Sequence, residues 1–306
     1  MGLAGMIVFV AGATGAIGQP LIAELVRQGH RVTGMTRSGR GAQWLVDAGA
    51  SVAELSAFDA SGVEEALRQS RAEAVIDELT SLPKTPAEMA AAAPGDRKLR
   101  LEGGGNLFRA AKALGIRRYL QQVSGFFHQP GSGLADETQS LAIDASPGVS
   151  ASARIYVELE SRVLNDPKID GVALRYGFFY GPSTWYWPNG AVADQVRRRE
   201  IPIIGQGQAV WSFVHIEDAA RATVAALIAP PGIYNIVDDD PSPVSRWLPD
   251  FARWVGAEAP PHLTEEAALE SIGEDAVYYY TKLRGSSNAK AKATFGFRPR
   301  RLQWLS

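Results

Sequence analysis

The sequence predicts an α/β protein: a doubly wound parallel sheet followed by a smaller C-terminal substrate-binding region. Three observations predict it. Short apolar runs alternate with amphipathic segments through residue 176, as strands buried on both faces alternate with the helices that cover them. A turn with evenly spaced glycines, GATGAIG, joins the first run to the first amphipathic segment. From about residue 177 the alternation loosens into loops rich in Gly, Pro and aromatics, separated by short helices.

Each element follows from its own pattern. MIVFVA (6–11) is a buried strand, and AIGQPLIAELVRQG is a helix with apolar residues every three or four positions. RVTGMTR is the second strand and GAQWLVDAG the second helix. SVAEL is the third strand, GVEEALRQS the third helix and AEAVIDEL the fourth strand. GDRKLRLEGGGNLFRAAKALG is one long fourth helix that ends at Gly115, a common helix stop. RRYLQQVS is the fifth strand, residues 151–165 the fifth helix, and GVALRYG the sixth strand. Later, VHIEDAARATVAALIA is a helix, GIYNIVDD a late strand, and the stretch from Ser242 is mostly helical. Residues 1–176 thus form a nucleotide-binding core. Residues 177–306 are mainly substrate-binding, with segments around 208–240 returning to the core.

Bulk properties narrow the function. The 306 residues suit one large α/β domain or a core with an appendage. A net charge of −2 offers no field for nucleic acid or an anionic membrane. The absence of cysteine excludes disulfides, thiolate catalysis and cysteine metal sites. The four histidines, His30, His128, His215 and His262, lack metal-ligand spacing, so no metal is expected. MIVFVAGA is too short to span a bilayer and follows no basic region. Gly2 lacks the Ser or Thr that a myristoylation signal wants, since Met6 stands there. The expectation is a soluble, cytoplasmic protein with a small-molecule substrate.

The glycine turn carries the strongest chemistry. Gly12, Gly15 and Gly18 lie between a strand and a helix. Glycine permits the tight turn and a close backbone approach, and the helix N-terminus offers free N–H groups to a pyrophosphate. The backbone of Thr14, Gly15, Ala16 and Ile17 completes the cradle. An NAD site wants an acid at the end of the second strand. Here the chain reads GMTRSGR, with no acid, and Arg37 is placed to pair with a 2′-phosphate. NADP is therefore expected over NAD. Asp59 and Ala60, after the third strand, are expected at the adenine edge, and Leu79, after the fourth, beside the dinucleotide.

These residues, with NLFRAAKALGIRRYLQQVS, LRYGFFYGP and WSFVHIEDAA, resemble the extended short-chain dehydrogenase/reductase superfamily, also called the NAD-dependent epimerase/dehydratase family, over nearly the whole chain. The resemblance implies a Rossmann domain, a smaller substrate domain, a homodimer through the fourth and fifth helices, and an Asn-Ser-Tyr-Lys catalytic set. Ser124 matches the serine. Arg100 falls at the asparagine. The Tyr-x-x-x-Lys pair allows two registers: Tyr156 with Glu160 in the lysine's place, or Ser152 and Tyr156 in the places of tyrosine and lysine. Residues 152, 156 and 160 share a helix face, so Tyr156 faces Ser124 in either register, without a cation beside it. A carboxylate at Glu160 would raise the phenol above its usual value of about 10. A neutral phenol favours giving a proton, hence reduction.

The resemblance also implies an arginine for the substrate's diphosphate, and Trp211 stands in its place. With Phe126, Phe178, Phe179, Trp185 and the YYY at 278–280, the cleft is aromatic and suits an apolar or aromatic carbonyl compound. His128 and Tyr186 are expected to orient it, Trp185 and Trp187 to close over it, and 128–139 to act as a lid. The leading expectation is an NADPH-dependent reductase, with Ser124 holding the carbonyl oxygen and Tyr156 giving the proton. Two alternatives stand: a nucleotide-sugar epimerase or dehydratase, which needs Arg197 or Arg284 at a diphosphate, and a non-catalytic NADP(H)-binding sensor or partner protein.

Overall fold

The computed structural model describes residues 5–305; Gly2 lies outside them. The first half alternates strand and helix: β1 (Ile7–Ala11), α1 (Gly18–Arg27), β2 (Arg31–Thr36), α2 (Gly39–Asp47), β3 (Ser51–Glu54), α3 (Ala60–Ser70) and β4 (Ala74–Asp77). Then come α4 (Met89–Lys98), α5 (Gly104–Ala113), β5 (Arg118–Ser124), α6 (Pro147–Leu164) and β6 (Asp170–Tyr176). The single long helix expected from Gly95 instead starts at Met89 and is interrupted by a π-helical turn, Leu99–Gly103, between α4 and α5.

The second half is more broken. It runs β7 (Phe178–Tyr180), α7 (Ala191–Arg197), β8 (Ile203–Ile204), β9 (Val210–Trp211), β10 (Phe213–His215), α8 (Ile216–Ala226) and β11 (Gly232–Ile236). It ends with β12 (Ser242–Pro243), α9 (Val244–Trp254), β13 (His262–Leu263), α10 (Glu265–Ile272), α11 (Glu274–Thr281) and α12 (Ala289–Phe295).

Seven strands form one parallel sheet in the order β11-β6-β5-β4-β1-β2-β3. The chain reverses direction across the sheet between β1 and β4, where doubly wound proteins open a crevice at the strands' carboxyl ends. One face is closed by a core that includes Leu21, Leu25, Val224 and Tyr234, and the other by one that includes Leu67, Leu107, Tyr119 and Leu159. A third, aromatic-rich core includes Phe213, Trp247, Phe251 and Trp304 of the second half, joined by Phe127, Leu141, Val149 and Ala153 of the first. The site lies where this third core meets the carboxyl ends of β5 and β6. No helix among the described residues is long and apolar enough to cross a membrane.

Candidate active site

The glycine turn is built as a cradle. Gly12 takes φ +80°, and a Cβ there would collide with the Glu78 backbone. A Cβ on Gly18 would strike the backbone of Gly12 and Ala13. Gly15 N–H closes the turn onto Gly12 O at 3.0 Å. Thr14 is half-buried, Ala16 is exposed, and Ile17 sinks its side chain into the core as the N-cap residue of α1 without a side-chain cap. Gln19 N–H is taken by Gly15 O and Pro20 has none, so the N–H groups left for an anion are those of Ala16, Ile17 and Gly18 at the mouth of α1, and these residues fit a dinucleotide pyrophosphate.

Arg37 and Arg40 are exposed just beyond β2, where Ser38 caps α2 through Gly41 N–H at 3.1 Å. Leu79 is buried beyond β4, its N–H on Asp77 Oδ1 at 3.1 Å. Asp59 is exposed and also serves its own helix. Its Oδ1 accepts from Gly62 N–H and Ser61 Oγ, each at 2.9 Å, so it caps α3, whose first residue is Ala60. The carboxylate serves the helix N-terminus, which holds it below its usual range.

Ser124 ends β5, buried, and its Oγ has no hydrogen-bond partner among the described residues. Near it a ladder of rings crosses the site. Tyr156 stacks on Phe127 (5.5 Å between centroids), and Phe127 tilts against Phe126 (4.7 Å). Phe126 stacks on Phe178 (4.0 Å), and Phe178 on Trp211 (4.2 Å). Tyr279 of α11 stands edge-on to Phe127 and Trp211. Trp211 Nε1 donates to Tyr279 O at 2.8 Å, which fixes α11 to the ladder.

The electrostatics of Tyr156 correct the sequence reading twice. Glu160 does not stand beside the phenol. It is buried and accepts Nε and Nη2 of Arg175 on β6, at 2.5 and 2.8 Å. A cation is present after all: the Arg100 guanidinium lies 5.4 Å over the Tyr156 ring. Burial raises the phenol above its usual value, and Arg100 opposes that rise. The phenol is neutral near pH 7, for a different reason than expected.

Other expected substrate residues divide. Phe126, Phe178 and Trp211 come together in the ladder. Tyr186 packs edge-on to Phe178, Trp211 and Phe213, and Trp185 is half-buried at the margin of the same core. Phe179 does not join them: strand alternation turns it to the opposite face, against Tyr176. Trp187 packs on Trp254 and His215 instead of closing over the ladder. His128 is fully buried, and neither ring nitrogen finds a partner among the described residues. Burial, reinforced by Arg175 and Arg284, pushes its imidazole down to about 3. It is a neutral, fully buried histidine.

The expected lid is tied down. Arg284 donates to Gly133 O (2.9 Å) and Ser132 O (2.7 Å), and Ala135 bonds Gly285 and Ser287 through its backbone. Glu137 accepts the Asn235 N–H of β11 at 2.8 Å. Arg197 is likewise committed, to Pro188 O, Val255 O and Asp194. Neither arginine is left for a diphosphate. Sequence reasoning missed the place of Arg100 beside Tyr156; the signal was Asp96 four residues before it, an ion-pair spacing on a helix.

Residues 8–236 match the model of the NAD dependent epimerase/dehydratase family. A protein of Streptomyces sp, the 3-diazoavenalumate denitrifying reductase, is 35% identical over 302 residues, 98% of each chain. The structure is similar to that of a UDP-glucose 4-epimerase of Thermus thermophilus in complex with NAD, at TM-score 0.70, 22% identity and coverage of 97% of this chain and 95% of that one. It is also similar to a dTDP-glucose 4,6-dehydratase of Streptomyces venezuelae with NAD bound, at TM-score 0.75, 18% identity and coverage of 96% and 92%. At these identities the two structures speak for the fold alone.

Proposed function

The chain belongs to the NAD dependent epimerase/dehydratase family, and from that premise we propose that it is an NADPH-dependent reductase that removes a diazo group from a small aromatic compound. The observation that carries this reading is an intact dinucleotide cradle beside an aromatic ladder with a neutral phenol and no lysine partner. Oxidising an alcohol needs a phenolate to take its proton; this site disfavours one. The full-length relative is named as a denitrifying reductase of a diazo compound, so the carbonyl expected from sequence gives way to a diazo group.

When bound, reduced nicotinamide supplies a hydride, and on an aryl diazonium the new C–H bond replaces the C–N bond while nitrogen leaves as N₂, with no proton exchanged. The chain's own residues bind and orient. Backbone N–H groups of the glycine turn hold the pyrophosphate, and Arg37 takes the 2′-phosphate. Phe126, Phe178 and Trp211, whose faces stack on one another, offer their ring edges to the substrate as an apolar wall. Ser124 Oγ and the neutral Tyr156 hydroxyl offer hydrogen bonds at the reacting end. A nucleotide-sugar substrate is disfavoured because Trp211 stands where a diphosphate arginine would, and Arg197 and Arg284 are engaged elsewhere.

The test is anaerobic incubation with diazotised 3-aminobenzoate and NADPH deuterated at nicotinamide C4. Expected are equal amounts of N₂ and oxidised NADPH, above the protein-free rate, and benzoate deuterated at the former C–N carbon. Turnover of aromatic aldehydes but not of the diazonium would return the carbonyl reading. Binding of NADPH without turnover of either would favour the non-catalytic alternative.

A further inference from the structure

Arg100 is the one charged side chain that meets the aromatic ladder face-on among the described residues, and the geometry around it is specific. It lies in the π-helical turn between α4 and α5, where a widened helix commonly marks a functional position. It is buried to 5% exposure, a costly place for a guanidinium without partners. Asp96 Oδ2 takes its Nε at 2.6 Å, and Asp96 Oδ1 takes the Ser81 N–H at 2.6 Å, so the pair is fixed to the loop after β4. Nη1 reaches Gln122 Oε1 only at 3.4 Å. Nη2 has no acceptor among the described residues. Gln122 and Ser124 share a face of β5, which sets the Nη edge near the Ser124 side of the site.

The guanidinium is thus held by one edge and stacked on Tyr156, while its other edge is underused. Arg162 and Arg175 also keep one donor each without a partner, but Arg175 is held through two bonds by Glu160, Arg162 bonds Gln121 and the Arg100 carbonyl, and neither guanidinium lies over a ring of the ladder. We infer that Arg100 receives the carboxylate of an aryl carboxylate substrate whose ring packs against the edge of the stack that Phe127, Phe126 and Phe178 form. Guanidinium and carboxylate match in planar, two-bond geometry, and the rest of the ladder is apolar, so the site has one anionic end and one oily end. This deepens the reductase reading and rests on it for the reaction, but the recognition it describes is measurable without turnover.

The test is tryptophan fluorescence on the NADP⁺-loaded protein, titrated with cinnamate and with cinnamamide. The two ligands share ring and length and differ in charge. The wild type is expected to bind cinnamate at least about tenfold more tightly. Arg100→Gln is expected to weaken cinnamate about 10- to 100-fold and leave cinnamamide unchanged, the span of a hydrogen-bonded charge partner. Arg100→Lys, which keeps the charge, is expected to fall between and serves where the glutamine variant fails to fold. Equal binding of the two ligands by the wild type overturns the assignment. So does an equal loss of both in either variant, or a loss of NADP⁺ affinity with cinnamate spared, which would give the cation to the cofactor. Failure of the deuterium assay with these titrations as expected would condemn the reaction and not the recognition.

Discussion

At the scale of single residues, two side chains carry separable predictions. Arg37 is exposed past the end of β2, with no acid near it in sequence. If it grips the 2′-phosphate, Arg37→Ala weakens NADPH about tenfold or more and leaves NADH unchanged; equal losses in a fluorescence titration would remove the reason for choosing NADP. Tyr156 is argued from its neutrality. Replacing a diazonium by hydride consumes no proton, so Tyr156→Phe keeps turnover within a few-fold, whereas a general acid is worth about 100-fold or more. A hundredfold fall in kcat with KM unchanged would make the phenol the acid that the sequence reading expected. The residues legible in the sequence were those whose role is backbone-based or apolar: Gly12 and Gly18 by spacing, Phe126, Phe178 and Trp211 by type. Charged residues were the ones misread. Glu160 offered a carboxylate on paper, but a partner distant in sequence, Arg175, had already claimed it.

Elements were legible wherever periodicity decides them, and their ends moved by a few residues. The exceptions have physical causes. The π-helical turn after α4 leaves the apolar spacing almost unchanged, so LRLEGGG reads as plain helix although it turns Arg100 inward. The 128–139 segment reads as a mobile loop because its composition is polar and glycine-rich, but its order comes from Arg284, about 150 residues away, which a local pattern cannot reveal. That staple has a consequence. Its acceptors are backbone carbonyls of a half-exposed loop, so Arg284→Ala should cost about 1–2 kcal/mol, below the full worth of charged hydrogen bonds in a dry interior. The loss should be local. Hydrogen exchange read by mass spectrometry should quicken across 129–141 and stay unchanged in β1 and β4. Unaltered exchange in that loop would mean that the Ala135 and Glu137 contacts hold it without the arginine.

Across the whole molecule, the parallel sheet covered on both faces follows from strand–helix alternation, but what seals the sheet beneath the cradle does not. Glu78, just past β4, is buried with one oxygen near Tyr176 of β6 and thereby ties three elements together. Thr223 Oγ1 on α8 donates to Ala219 O at 2.7 Å and can accept from Tyr176 Oη at 2.6 Å. In that arrangement a protonated Glu78 donates to Tyr176 Oη across the 2.9 Å contact, whereas an ionised Glu78 takes the phenolic proton and Thr223 keeps its bond to Ala219 O. Burial, with Asp77 beside it, pushes the Glu78 carboxyl up to about 8, against the pull of Tyr176 and Arg100. The folded state therefore keeps a proton that the unfolded chain releases above 4.5. The associated stability is complete below 4.5 and is lost as pH rises through 8, at no more than about 1.4 kcal/mol per pH unit. Glu78→Gln keeps a donor toward Tyr176 and cannot ionise. Denaturant unfolding of variant and wild type across that window should show the variant gaining steadily on the wild type as pH rises and levelling off above 8. A difference independent of pH would mean that Glu78 is ionised in the folded protein and that the donor chain from β4 to α8 runs the other way.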